Sequence, residues 1–159
     1  MRLRTRDQQF LDPERGPVVT PRAVIALVLV VIGIAWIVYY YTGVRPDPNA
    51  FDKQGNPAGP SGPGFMGDLK KWNYVIGFGA LFLGLAISAH PSTPLGRGRG
   101  VVVGMLGCFL LGLLWICSYY VLANDKLDSV PVFNDLGQYN LMVGIAFMAV
   151  GFTFATRWE

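Results

Sequence analysis

Four long apolar segments that contain no Asp, Glu, Lys or Arg constrain the fold of this chain more than any other feature of the sequence. They cover residues 23–43, 72–89, 101–122 and 139–156. A helix needs about 20 apolar residues to cross the hydrocarbon core of a bilayer. The composition, 52% hydrophobic and 14% charged, is also typical of a membrane protein. We therefore predict an all-α membrane protein with four transmembrane helices.

The distribution of the 13 basic residues predicts how these helices are oriented. Eight of them fall in the tail of residues 1–22, in the connection of residues 90–100 or at Arg157, and five fall in the other two loops. Because Lys and Arg are enriched in cytoplasmic loops, we expect a multi-pass protein of the inner (plasma) membrane with both termini and residues 90–100 in the cytoplasm. Lys70 and Lys71 depart from this pattern, since they lie beside a predicted span on the outer side.

An internal repeat divides the chain into two units. Residues 33–37 (GIAWI) match residues 112–116 (GLLWI), and residues 72–77 (WNYVIG) match residues 139–144 (YNLMVG). The sequence therefore predicts two parallel-repeat helical hairpins, residues 23–89 and 101–159. A basic cytoplasmic tail (residues 1–22) precedes them, and a cytoplasmic linker (residues 90–100) joins them. The outer loop of the first hairpin is dense in glycine and proline over residues 46–67, which predicts a flexible linker.

Small and aromatic residues recur on equivalent faces of the repeated helices, and they are the candidate partner-binding or helix-packing positions. The first set shares one face of the first and third spans at 100° per residue and consists of Gly33, Trp36, Tyr40, Gly112, Trp115 and Tyr119. The second set is a narrow strip on the second and fourth spans and contains Gly77, Gly84, Gly144 and Gly151. Glycine lets transmembrane helices approach closely. Packing inside the bundle and binding of a partner helix both fit these patterns.

Two asparagines occupy equivalent positions at the outer starts of the second and fourth predicted spans, Asn73 and Asn140. The first amides of a helix have no partner within the helix, and an asparagine side chain often accepts a hydrogen bond from them. We expect both side chains to act in this way. The alternative is a hydrogen bond to a group on a neighbouring helix.

No residue pattern in the sequence points to catalysis or to a bound cofactor. The chain has one histidine, His90, and two cysteines, Cys108 and Cys117, and it has no cluster of His, Cys, Asp or Glu with the spacing of metal ligands. The uncharged spans also lack the ionisable residues that mark proton relays and ion pathways. We therefore expect no enzymatic activity, no cofactor or metal, no nucleic-acid partner and no small-molecule substrate.

The second predicted hairpin carries a series of motifs at residues 112–116 (GLLWI), 119–120 (YY), 136–140 (LGQYN) and 155–159 (ATRWE), together with Gly144. This series resembles the CrgA family of actinobacterial cell-division membrane proteins, and the first hairpin repeats it more loosely. The resemblance implies a non-enzymatic protein that binds divisome and septal peptidoglycan-synthesis proteins, helps to regulate septum formation and is enriched at the division septum. This chain differs from the family pattern because it has two hairpins and an arginine-rich tail.

The resemblance also implies that Trp36 and Trp115 are equivalent anchors for the transmembrane helices of division proteins. The sequence leaves open whether the chain forms a homo-oligomer. An accessory subunit of a membrane respiratory or transport complex is the alternative function, because such a subunit would show the same small-residue helices.

Overall fold

The computed structural model describes residues 19–47, 49–122 and 126–156. The long helices are α1 (Pro21–Tyr39), which continues into a π-helical turn (Tyr40–Val44), α3 (Trp72–Ser88), α4 (Arg99–Leu122) and α6 (Tyr139–Ala155). The shorter elements are α2 (Gly64–Leu69), a 3-10 turn (Leu127–Ser129) and α5 (Phe133–Leu136). The described residues contain no β-strand, and their one β-bridge joins Phe51 to Pro57.

The all-α fold class is confirmed. With α1 taken through its π-helical turn to Val44, the four long helices begin and end within two residues of the predicted segments. The start of α1 follows from its sequence, because Pro21 is favoured in the first helical turn and the Thr20 hydroxyl accepts a hydrogen bond from the Ala23 amide at 3.2 Å. Residues 21–44 and α4 are each long and apolar enough to cross a membrane. Helices α3 and α6 are shorter, with 17 residues each. Most of the predicted tail (residues 1–18) and Arg157 lie outside the described residues.

The prediction of a flexible linker over residues 46–67 is wrong at its C-terminal end. Residues 64–67 belong to α2, and the Met66 side chain is only 2% exposed. Met66 joins the hydrophobic core cluster of the long helices, so burial of an apolar side chain orders this part of the loop. The earlier part of the loop is also fixed to α1, because the Ser61 hydroxyl donates to the Gly43 carbonyl at 2.9 Å.

The long helices pack as two antiparallel pairs, α1 with α3 and α4 with α6. The pairs meet where α3 lies against α6. Aromatic rings fill the contact between the pairs: the centroids of Phe82 (α3) and Phe147 (α6) are 4.9 Å apart, and those of Phe78 (α3) and Trp115 (α4) are 5.9 Å apart. We call the end of the bundle with residues 45–71 and 126–138 the distal end, and the end with residues 19–22 and 89–99 the proximal end.

Candidate functional site

Glycines bring the backbones of α1 and α3 into direct contact. A Cβ atom placed on Gly33 would lie 2.5 Å from the carbonyl oxygen of Gly77 and 2.7 Å from the amide nitrogen of Leu81. Nearer the proximal end, a Cβ atom on Gly84 would lie 2.7 Å from the carbonyl oxygen of Ala26. These distances leave no room for a side chain, so the close approach of the helices depends on glycine at all of these positions.

The second pair repeats the crossing of the first. A Cβ atom on Gly112 would lie 2.6 Å from the carbonyl oxygen of Gly144, and one on Gly144 would lie 3.0 Å from the carbonyl oxygen of Gly112. Gly151 differs from its counterpart Gly84, since its nearest neighbours are at the ordinary contact distance of 3.4 Å. The structure therefore places the predicted glycines within the two helix pairs, and the contact at Gly151 is looser than its sequence position indicates.

The two repeated tryptophans, expected to be equivalent, have different neighbours. The Trp36 ring lies 6.3 Å from Phe65, which belongs to α2 in the same repeat. The Trp115 ring stacks on Phe133 at 4.5 Å and meets Phe78 of the other pair edge-on at 5.9 Å. Both indole nitrogens are buried and have no acceptor among the described residues. Trp115 is thus part of the contact between the pairs, whereas the ring contact of Trp36 among the described residues lies within its own repeat.

The tyrosines of the repeated face have also diverged. Tyr40 is 5% exposed and meets Tyr74 edge-on, with ring centroids 5.1 Å apart. Its counterpart Tyr119 is only partly buried and contacts its neighbour Tyr120 at 5.4 Å. At its distal end, the repeated face is therefore buried in the first pair, at Tyr40, and more exposed in the second pair, at Tyr119.

The predicted capping role of the two asparagines is wrong. The Asn73 side-chain amide donates to the carbonyl oxygens of Met66 and Lys70 at 2.7 and 2.8 Å, and Asn140 donates to those of Phe133 and Gly137 at 2.9 and 2.8 Å. Both side chains are fully buried. The side-chain Oδ1 atoms of Asn73 and Asn140 have no hydrogen-bond partner among the described residues.

The reason is that each short helix runs almost directly into the long helix that follows it. The first amides of α3 and α6 are therefore already bonded, for example the Asn73 amide to the Lys70 carbonyl at 3.2 Å and the Asn140 amide to the Gly137 carbonyl at 3.2 Å. The asparagine side chains instead reach carbonyl groups at the end of the short helix, where a carbonyl oxygen can accept a second hydrogen bond. The Lys70 and Gly137 carbonyls each accept from both the backbone amide and the side chain of the asparagine. These bonds tie α2 to α3 and α5 to α6.

A polar cluster that sequence reasoning missed joins the two pairs at the distal end. The Asp135 carboxylate forms an ion pair with Arg45 at 3.1 Å and accepts a hydrogen bond from the Tyr74 hydroxyl at 2.7 Å. The Arg45 guanidinium lies 4.5 Å from the centre of the Tyr41 ring and donates to the Asn134 side chain at 3.3 Å. No local pattern predicts this cluster, because its members are about 60 to 90 residues apart in the chain.

Within the described part of the chain, no three or more His, Cys, Asp or Glu side chains are grouped in a way that would hold a metal ion. Each helix pair is built around apolar and small residues, with the polar groups gathered at its ends. The arrangement is suited to helix–helix contact.

Comparison with known proteins identifies both halves of the chain. The sequence profile of the cell division protein CrgA family matches residues 4–90 and again residues 93–159. Cell division protein CrgA of Streptomyces avermitilis is 38% identical over 65 residues, which are 41% of this chain and 71% of that relative. The homologous protein of Corynebacterium aurimucosum is 30% identical over 64 residues, 40% of this chain and 66% of the relative.

A relative from a Mycobacterium species, also a cell division protein CrgA, is 30% identical over 57 residues, 34% of this chain and 61% of the relative. No solved structure matches the chain. The Streptomyces relative is a little over half as long as this chain, as the two coverages show. Since the family profile matches twice and in succession, the chain belongs to the CrgA family of cell division proteins as a tandem-duplicated form, with a role in cell division.

Proposed function

We propose that the chain crosses the membrane four times, with both termini in the cytoplasm. Two helices reach the required length by themselves. Helix α3, at about 26 Å, is a few ångströms shorter than the hydrocarbon core. It lies antiparallel to α1 along its length, so a bilayer that contains α1 also contains α3, and the same holds for α4 and α6. Trp72 and Tyr139, 67% and 65% exposed at the distal starts of α3 and α6, suit an interfacial aromatic belt.

Reporter fusions at Gly59, at Gly98 and at the C-terminus test this topology. We expect signals from the outside, the inside and the inside, respectively, because eight of the 13 basic residues fall on the cytoplasmic side in this arrangement. An external signal at Gly98 would contradict the four-span topology.

We propose further that the chain is a non-enzymatic protein of the division septum, which binds divisome and septal peptidoglycan-synthesis proteins and helps to regulate septum formation. The observation that carries this proposal is that both repeats belong to a family of cell division proteins. The structure adds a means of binding. Helix α1 packs mainly against α3, and its remaining surface carries large apolar side chains that are about half exposed. Those on the Trp36 side of the helix, at 100° per residue, include Ile25, Ile32 and Tyr39.

Trp36 is the anchor we assign to this face. It is partly exposed, it lies three residues from the tight crossing at Gly33, and among the described residues its one aromatic neighbour is Phe65. An aromatic ring beside a glycine offers a partner helix a large contact area next to a groove. Trp115 is engaged by three rings of this chain, so its role is to hold the two pairs together.

The experiment is crosslinked recovery of partners from intact cells, together with septal localisation, for a tagged chain and for Trp36→Ala and Trp115→Ala. We expect Trp36→Ala to lose division proteins. Trp115→Ala should lower the thermal stability of the purified protein more than Trp36→Ala does, because Trp115 contacts three aromatic rings and Trp36 contacts one among the described residues. Trp72→Ala is the matched control, because it removes the same ring from an exposed distal position.

Two results would refute the proposal. If Trp36→Ala recovers division proteins as the parent does, the assigned face does not bind them. If the parent recovers cytochromes or transport subunits instead of division proteins, the chain is an accessory subunit of another membrane complex.

A further inference from the structure

An open groove of about 590 Å³ runs between α3 and α6 in the distal half of the bundle. Its walls are mostly apolar and come from equivalent positions of the two repeats, which form the pairs Trp72 with Tyr139, Val75 with Met142, and Gly79 with Ala146. Phe78 and Phe82 also line it. A Cβ atom on Gly79 would have no neighbour within 4 Å, so the groove stays open along its α3 wall.

Lysines stand at the distal mouth of this groove. Lys71 lines it and Lys70 precedes Lys71 in the chain, and both are exposed. The one acidic residue in the lining is Asp135, and its two oxygens are already engaged by Arg45 and Tyr74. The mouth of the groove therefore carries lysines, and the one carboxylate of its lining is already engaged, which suits an anionic group.

Lys70 occupies a backbone conformation that favours glycine. Its φ and ψ are 47° and −127°, and the equivalent residue of the second repeat, Gly137, has 50° and −124°. A side chain at this position is strained, yet the first repeat carries lysine there. The second repeat has Gln138 in place of Lys71. Both lysines also depart from the charge pattern that orients the helices, so neither local backbone geometry nor topology explains them.

We propose that this groove binds one anionic phospholipid, with an acyl chain between α3 and α6 and the phosphate at Lys70 and Lys71. The apolar lining suits an acyl chain, and basic pockets between transmembrane helices bind anionic headgroups. A transmembrane helix, about 10 Å wide, would not be confined to the distal half of the seam. The inference rests on the proposed membrane location of α3 and α6, but neither on which end is cytoplasmic nor on any division partner.

The experiment measures lipid preference by tryptophan quenching. The purified full chain is placed in phosphatidylcholine vesicles that contain a small fraction of brominated phosphatidylglycerol or of brominated phosphatidylcholine. Trp72 lines the groove, so the difference in quenching between the parent and Trp72→Phe gives the signal of the groove. We expect stronger quenching by phosphatidylglycerol. Lys71→Gln and Lys70→Gly should each weaken this preference about fivefold, and the double variant should abolish it. Lys53→Gln is the matched control, because Lys53 is exposed in the loop and away from the groove.

Two further readouts separate lipid binding from a structural role. Lys70→Gly should raise the melting temperature in phosphatidylcholine, since glycine relieves the strained backbone, while it loses the lipid preference. Gly79→Phe should fill the groove and remove the preference without lowering that melting temperature. Inorganic phosphate at millimolar concentration should leave the preference intact, because the acyl chain contributes to binding.

The proposal is overturned if the parent is quenched equally by the two lipids, if the double lysine variant keeps the preference, or if free phosphate abolishes it. All of these measurements use the purified chain. Their failure is therefore distinguishable from failure to recover division proteins from cells.

Discussion

Adding one methyl group at the repeated glycine crossings should separate the helices of a pair. In Gly33→Ala the new Cβ atom would lie 2.5 Å from the Gly77 carbonyl oxygen, and in Gly112→Ala it would lie 2.6 Å from that of Gly144. An ordinary contact needs 3.4 Å, so each pair must open locally by about 0.8 to 0.9 Å. The obstacle is the backbone of the facing helix, which cannot rotate away as a side chain can.

The expected loss follows from the dispersion contacts along the seam. A gap of about 0.5 to 1 Å removes a quarter to a half of the attraction between facing atoms, and overpacking of this kind costs about 1–3 kcal/mol. Gly84→Ala belongs to the same class, because its Cβ atom would meet the Ala26 carbonyl at 2.7 Å. Gly151→Ala should cost less than about 0.5 kcal/mol, since its neighbours are already at 3.4 Å. Gly79→Ala, with no neighbour within 4 Å, is the control and should be neutral or slightly stabilising.

The assay is reversible unfolding of the purified chain in mixed micelles as the fraction of dodecyl sulfate rises, followed by circular dichroism. The reasoning predicts a rank order, with the variants at positions 33, 112 and 84 well below the parent and those at 151 and 79 close to it. If Gly79→Ala destabilises the protein as much as Gly33→Ala, or if Gly33→Ala and Gly112→Ala unfold like the parent, helix separation at the glycine crossings is refuted.

Three other predictions concern the polar groups. Asn73→Ala and Asn140→Ala should each lower the free energy of unfolding by about 1–3 kcal/mol, because each variant loses two hydrogen bonds made by a fully buried side chain. Asn49→Ala, at an exposed position, should leave it unchanged, and an equal effect there would contradict the role of the two asparagines in joining the helices. A double-mutant cycle of Arg45→Gln and Asp135→Asn should give a coupling energy of about 1–2 kcal/mol, since the pair is mostly buried; additive effects would show that the ion pair does not join the helix pairs. The backbone amides of Asn56 and Gln54 donate to the Asp52 carboxylate and lower its pKa. The turn of residues 52–56 should therefore be ordered above the ordinary aspartate pKa and should loosen as pH falls through the lowered pKa. The chemical shift of the Gly55 amide reports this transition, and its pH dependence should disappear in Asp52→Asn.

The positions of the long helices could be predicted from the sequence because they depend on local properties. An uncharged apolar run needs its backbone hydrogen bonds satisfied internally, and the first charged or turn residues on either side end it. The glycine strips could also be predicted as close contacts, since the 3.6-residue period puts Gly77 and Gly84 on one face. The prediction of an equally close contact at Gly151 was wrong. The space around Gly151 depends on the position of Phe109 on α4, and the sequence of α6 alone does not determine that position.

The features that the sequence could not predict depend on contacts between distant segments. Helix α2 is too short to be stable alone, and it forms where Met66 is buried by the long helices. The hydrogen bonds of the Asn73 and Asn140 side chains were wrongly predicted, because the carbonyls that accept them belong to the short helix that precedes each asparagine. The ion pair of Asp135 could not be predicted from the repeat, since its counterpart Asp68, which is also followed by leucine, is exposed.

The two repeats agree where each helix pair is held together and differ where the pairs meet. The glycine crossings and the asparagine ties occur twice, whereas the ion pair of Arg45 with Asp135 occurs once in the described residues. In a symmetric dimer of identical units each contact between units would occur twice. Covalent linkage keeps the second unit at a high effective concentration, so a chain with two units can join them through one asymmetric cluster. Once that cluster forms, the outer faces of α1 and α4 are no longer interchangeable, and a partner that recognises Trp36 meets a different surface at Trp115.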